Sequence, residues 1–148
     1  MSTQPEQRVT ELDADFLARL DAQREVVRAH LGEDPENLRK FDTAAGKLGT
    51  IRAILQAGVY DAEDTYELQC LGVVLGDVFA QELGMRWEVV TDEYGSDPAL
   101  RDTDNPNIII FPLTMISKRI ERGEDVDVFE LFKGIAAEVD MMRSDLAS

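Results

Sequence analysis

Five carboxylates crowd one short stretch of this chain: Asp92, Glu93, Asp97, Asp102 and Asp104 fall within thirteen residues. Two carboxylates in unlike surroundings can share acid and base roles in hydrolysis, because burial raises one pKa while hydrogen bonding lowers the other. A hydrolase of that kind would use Asp92, Asp97, Asp102 or Asp104. The same oxygens could hold Ca²⁺ or Mg²⁺, with Asp102 and Asp104 as the weak metal candidates. The Asp102-Thr103-Asp104 fragment, however, lacks the glycine and the distal Glu of a calcium loop. In a chain with thirty acidic residues a cluster of five also arises by chance, so solvated loop charge is the plainer reading. No catalytic residue, metal or cofactor is assigned from the sequence.

Other reactive side chains are scarce. His30 is the only histidine, so Ser-His-Asp, Cys-His and paired-His metal sites cannot be assembled within one chain. It falls late in a helical stretch, where a surface or helix-end role suffices. Cys70 is the only cysteine and reads as a small buried hydrophobe without a histidine to activate it. Lys47 between Gly46 and Gly49 lies in a helical pattern and lacks the spacing of a phosphate-cradling loop. Recognition is better supplied. Trp87 and Tyr94 are hot-spot types beside the acidic stretch, and Lys118, Arg119 and Arg122 form the densest basic group. Lys118 and Arg122, four apart, share a helix face and could meet a ligand anion or simply pair with Glu121, Glu124 or the Asp-rich loop. The candidate binding residues are thus Trp87, Asp92, Tyr94, Asp97, Lys118, Arg119 and Arg122. Alternation puts Trp87 on the side of Val89, facing the core, and leaves Tyr94 at the rim.

Thirty acidic against fifteen basic residues give a formal charge of −15. Such a surface repels DNA and anionic membranes, and either keeps the chain soluble or steers a basic protein partner. The opening MSTQPEQRVTELD lacks the basic start and apolar centre of a secretory signal, and no apolar run nears the ~18 residues of a membrane helix. A cytoplasmic location is the default expectation. At 148 residues the chain is read as a tail over 1–7 and one compact domain over 8–148.

The elements that must position these residues follow from periodicity. From Arg8 the pattern is helical, with Leu12, Phe16, Leu20, Val27 and Leu31 along one stripe up to Gly32. Asp34 and Pro35 open a second helix carrying Leu38, Phe41, Ala45, Leu48, Ile51 and Leu55, closed by Gly58. A third runs from Asp61 or Asp64 to Gly84. Its Gly72 and Gly76 share a face, which implies close approach of another backbone and makes this the most buried helix. Residues 86–92 alternate as a strand. Tyr94-Gly95-Ser96-Asp97-Pro98 is turn material in a connection of about a dozen residues, long enough to be functional. Asn107–Phe111 reads as a buried second strand, and a third near Val126 is open. Thr114 heads a short helix, and Asp127 with Glu130 forms the capping box of the last. The predicted fold is α+β and mainly helical: about five helices, with a two-stranded, or three-stranded, antiparallel hairpin after the third.

The segments LGVVLGDVFAQELGMRWEVVTDEYG and NIIIFPLTMISKRIERGE make residues 71–124 resemble an uncharacterised domain family of small bacterial proteins, a domain of unknown function. The resemblance highlights Trp87, Asp92, Tyr94, Gly95, Pro112 and Arg119 as motif positions and implies no activity. Two functions compete. The leading one is a non-enzymatic, acidic protein–protein interaction module, such as an immunity-type protein that binds a basic partner. The other is the carboxylate- or cation-dependent hydrolase above. Homodimer formation through apolar positions left over on the first or last helix is a third reading.

Overall fold

A computed structural model describes residues 7–147. The expected tail, Gln7 apart, lies outside the described residues. The chain forms β1 (Arg8–Glu11), α1 (Ala14–Arg28), α2 (Pro35–Phe41), α3 (Ala44–Ala57), α4 (Thr65–Leu83), β2 (Met85–Asp92), β3 (Gly95–Asp102), β4 (Ile109–Ile110), α5 (Met115–Glu121) and α6 (Val128–Ala147). Short 3₁₀ turns at Ala29–Leu31 and Pro112–Thr114 complete the path. The fold is therefore mainly helical α+β, as the sequence predicts, but its sheet has four antiparallel strands in the order β1-β2-β3-β4.

The centre of the molecule is α4. Ten of its residues, from Leu68 to Phe79, are buried, which makes it the most buried helix as expected. α1, α3 and α6 pack around it, and β2 together with the Pro112–Thr114 turn closes another side. The two helical glycines provide the approach that their spacing implies. A Cβ at Gly72 would sit 2.7 Å from the Cα of Leu113, and one at Gly76 would overlap the indole of Trp87. Trp87 thus faces the core across β2, with Leu100 opposite it on β3.

Four expectations are corrected. Arg8–Glu11 is a strand and not the start of a helix. Asp13 ends the extended stretch by accepting the Phe16 amide at 2.9 Å, and the β-branched Val9 and Thr10 pair with Val90 and Val89. The second helix is two. Asp42 closes α2, and the Thr43 hydroxyl accepts the Gly46 amide at 2.9 Å while donating to the Lys40 carbonyl at 2.7 Å, so one side chain ends a helix and starts the next.

The long acidic connection is a tight hairpin instead. Asp92 accepts the Tyr94 amide at 2.8 Å, Gly95 takes φ +130°, and β3 begins there, pairing Asp92 with Gly95 through to Met85 with Asp102. Pro98 is tolerated in β3 because β4 pairs only with Leu100 and Arg101, leaving no ladder on the outer side of Pro98 to interrupt. The Asn107–Phe111 strand shrinks to Ile109–Ile110 at the sheet edge. No strand forms at Val126; the extra strands are β1 and β3. Asp127 does cap α6, accepting the Phe129 and Glu130 amides at 3.1 and 3.2 Å.

Two glycine substitutions test this packing with opposite signs. Gly72→Ala gains helix propensity but drives a methyl into the Leu113 backbone, and should cost about 2 kcal/mol net, or roughly 4–8 °C in Tm. Gly49→Ala in α3 meets nothing within 4 Å, and should stabilise by up to about 1 kcal/mol. Thermal unfolding of both variants checks the pair; equal effects would contradict the close approach at α4.

Candidate binding groove

The carboxylate of Asp77, midway along α4, sets where α1 and β2 lie. Arg24 of α1 donates to it through Nε at 2.7 Å and Nη2 at 2.9 Å, and Trp87 of β2 donates its indole N–H at 2.9 Å. The hydrogen bonds that Arg24 donates to Asp77 hold its guanidinium pKa above its ordinary value. With Arg24 turned toward α4, the neighbouring face of α1 looks along the helix toward β3 and α5.

That face borders a groove of about 510 Å³, within the range of small-molecule and peptide sites. Arg19, Ala22 and Gln23 come from α1, where three- and four-residue spacing puts them together. Tyr66 and Gln69, three apart, come from the first turns of α4. Asp97 and Pro98 of β3 form another border, and Phe111, Leu113, Thr114 and Lys118 the last. Two of its aromatic residues are poorly covered: Tyr66 is 51% exposed and Phe111 41%.

Five polar side chains of the groove, Arg19, Gln23, Gln69, Asp97 and Lys118, make no hydrogen bond or ion pair among the described residues. Gln23 is only 8% exposed, yet its amide makes no hydrogen bond among the described residues. It is not an orphan sealed in the core either, since no fully buried side-chain nitrogen or oxygen lacks a partner among the described residues. The amide therefore reaches the open space of the groove. Arg19 lies over the Phe16 ring at 4.7 Å, and among the described residues neither it nor Lys118 nor Asp97 forms an ion pair. Behind Tyr66 sits Cys70, whose thiol burial pushes up to about 11 despite a hydrogen bond with the tyrosine hydroxyl. A thiol so placed is not a nucleophile at neutral pH.

Of the residues singled out in the sequence, Asp97 and Lys118 meet in this groove. Trp87 is half-buried and committed to Asp77. Asp92 and Tyr94 form the hairpin tip, with Tyr94 89% exposed. Arg119 donates to the Met115 carbonyl at 2.8 Å and borders a separate, shallower recess beside α6. Arg122 approaches Glu124 at 3.8 Å. His30 meets the Tyr60 hydroxyl at 2.6 Å.

The acidic cluster is dispersed. Asp92 and Asp102 stand at opposite ends of the β2–β3 ladder, seven residue steps or roughly 23 Å apart. Asp102 is not a loop carboxylate but a buried one, clamped by Arg143 of α6 at 2.8 and 2.9 Å, and Arg143 also donates to the Leu83 carbonyl. Asp104 remains exposed, and no group of three His, Cys, Asp or Glu among the described residues could hold a metal ion. With Asp102 taken up by Arg143, no group that could hold a metal ion forms at Asp102 and Asp104 among the described residues.

Sequence reasoning missed Arg19, Gln23, Tyr66, Gln69, Phe111 and Leu113 as site residues. One signal was there to find. Gln23 stands seven residues after Phe16 and four before Val27, a polar residue on the stripe that otherwise faces the core.

Residues 47–132 match the family described as Domain of unknown function (DUF3806). The chain belongs to that family. The matched span supplies α4, β2, β3, β4 and α5, hence most of the groove, while the DUF3806 match leaves Arg19, Ala22 and Gln23 of α1 outside it. No curated protein matches the chain. A crystal structure from Bacteroides thetaiotaomicron VPI-5482 at 1.50 Å resolution has the same fold, with TM-score 0.70 and 15% identity. The similarity covers 90% of this chain and 48% of that one, so the chain spans about half the length of its structural relative.

The Asp102–Arg143 clamp predicts an acid-sensitive contribution to stability. Hydrogen bonds from Arg143 hold the Asp102 carboxyl below the usual carboxylate range. A folded pKa below the unfolded one, near 3.9, means stability that is present above about pH 4 and lost as pH falls through the folded value. Asp102→Asn should cost about 2–3 kcal/mol at pH 7, since it leaves a partly buried guanidinium with only the exposed Asp140, 3.8 Å away, as counter-charge. The variant should also show a shallower loss of Tm between pH 5 and pH 2 than the parent. Parallel Tm–pH curves would contradict the assignment.

Proposed function

We propose that this protein is a non-enzymatic recognition module that acts in the cytoplasm and holds an extended segment of a basic partner protein in the groove between α1, α4, β3 and α5. The observation that carries this reading is Gln23: a residue only 8% exposed, whose amide makes no hydrogen bond among the described residues and opens into the groove. Leaving such a group unpaired is unfavourable unless water or a ligand satisfies it. Arg19, Asp97 and Lys118 around it likewise form no ion pair among the described residues.

An extended segment suits the shape. On its outer side β3 carries β4 only at Leu100 and Arg101, so the stretch that contributes Asp97 and Pro98 has no neighbouring strand there. A partner chain running past it finds side-chain pockets and part of a strand edge together. The net charge of −15 favours a basic partner by speeding encounter. Small acidic proteins that neutralise a basic toxin are one class of binder with this character.

The test is a titration of the isotope-labelled protein with pools of synthetic hexapeptides that are basic, neutral or acidic. The basic pool should move the side-chain amide signals of Gln23 and Gln69 and the backbone signal of Phe111. Ala22→Trp, which places a large ring at the groove from an exposed helix position, should abolish those shifts while leaving the remaining spectrum in place. Still groove signals in the presence of all pools, or shifts mapped to the α6 face, would overturn the proposal; concentration-dependent shifts without peptide would point to homodimer formation instead.

A further inference from the structure

We propose that the groove recognises a free C-terminus: the terminal carboxylate of the partner chain held by Arg19 and Lys118, with an apolar last side chain against Tyr66 and Phe111. The inference rests on the recognition reading above and adds to it the chemistry of the bound segment.

Charge is the first argument. Acidic residues outnumber basic ones two to one in this chain, so a cation has ample opportunity to find an internal partner. Arg24, Arg101 and Arg143 each do so with a bidentate carboxylate. Arg19 and Lys118 make no ion pair among the described residues, and both border the same groove. Two cations without a counter-charge bordering one groove suit an anion, and arginine forms its strongest bonds with carboxylates and phosphates.

The surrounding field selects which anion. A surface of net charge −15 opposes an acidic peptide or a polyanion. A chain end supplies one carboxylate and leaves every other residue of the segment free to be neutral or basic. Asp97, the single carboxylate bordering the groove, then faces the positively charged portion of such a segment. Opposite signs within one groove also fix the direction in which the segment lies.

The remaining lining suits a peptide end. A glutamine side chain carries the donor and acceptor of a peptide group, so Gln23 can bond the N–H and C=O of the last amide. Tyr66 and Phe111, half-exposed on neighbouring elements, give an apolar side chain two rings to pack against.

The experiment compares two otherwise identical pools of basic hexapeptides ending in Leu, Phe or Val, one with a free C-terminal carboxylate and one with a C-terminal amide. Binding is followed by the Gln23 and Gln69 amide signals. The free-acid pool should bind at least about tenfold more tightly, the amount expected for losing charge-assisted hydrogen bonds. Arg19→Gln and Lys118→Gln, both at exposed positions, should each weaken the free-acid pool and leave the amide pool unchanged. Gln23→Met, which keeps the side-chain volume, should weaken both. Equal binding of the two pools in the groove would overturn end recognition and leave the recognition module standing. Failure of both pools while basic segments within longer loops still bind would overturn it too; failure of every peptide would remove both readings.

Discussion

A single carboxylate organises this fold. Asp77 sits on a helix whose neighbours from Leu68 to Phe79 are almost all buried, and it draws two other elements to itself. Arg24 binds it from α1 with two bonds, and the indole of Trp87 binds it from β2. Charge-assisted bonds of this kind contribute about 1.5–3 kcal/mol each, and a carboxylate left alone at such a site would be strongly unfavourable. The neighbouring Gly76 makes the arrangement possible, because any side chain there would occupy the space of the Trp87 ring. The glycine admits the aromatic residue and the aspartate orients it. With α1 and β2 tied to one point, the groove beside them has a defined shape.

The same device is repeated at two further places. Glu88, 5% exposed, takes two bonds from Arg101 at 3.0 and 2.8 Å across the outer face of the sheet. Asp102 takes two from Arg143 and joins β3 to the last helix. In each case the planar guanidinium matches both carboxylate oxygens, a geometry that lysine cannot copy. An acidic chain has few cations to spend, and it places arginines where a buried carboxylate joins elements distant in sequence. Of the cations without an ion pair among the described residues, Arg19 and Lys118 share the groove.

Much of the helical frame was legible because it depends on local chemistry. The extent of α4, the role of Gly72 and Gly76, the Asp127 cap and the exposed Tyr94 all follow from spacing and residue type. The β structure was harder, since pairing is decided by partners elsewhere. Arg8–Glu11 continues a helical stripe on paper and becomes a strand because Asp13 starts the helix later and β2 offers an edge. Ser96, Asp97 and Pro98 are turn formers that serve here in a strand, since part of its outer side is unpaired. Asp102 reads as solvated until Arg143, forty-one residues on, is placed beside it. The groove draws on α1, α4, β3 and the chain around α5, so Asp97 and Lys118 could be named from their types but not brought together.

The place of β1 has a consequence for the order of events during folding. Arg8 pairs with Thr91, eighty-three residues later, so the strand is synthesised long before its partner exists. Closing so long a loop is entropically costly, and contacts of that span tend to form late. Until then the eight-residue β2 presents an open row of backbone donors and acceptors, the kind of edge through which nascent chains associate with one another. A four-residue strand that contributes little to the core thus acts as a guard on the sheet, closing its most exposed side once the rest of the molecule is in place.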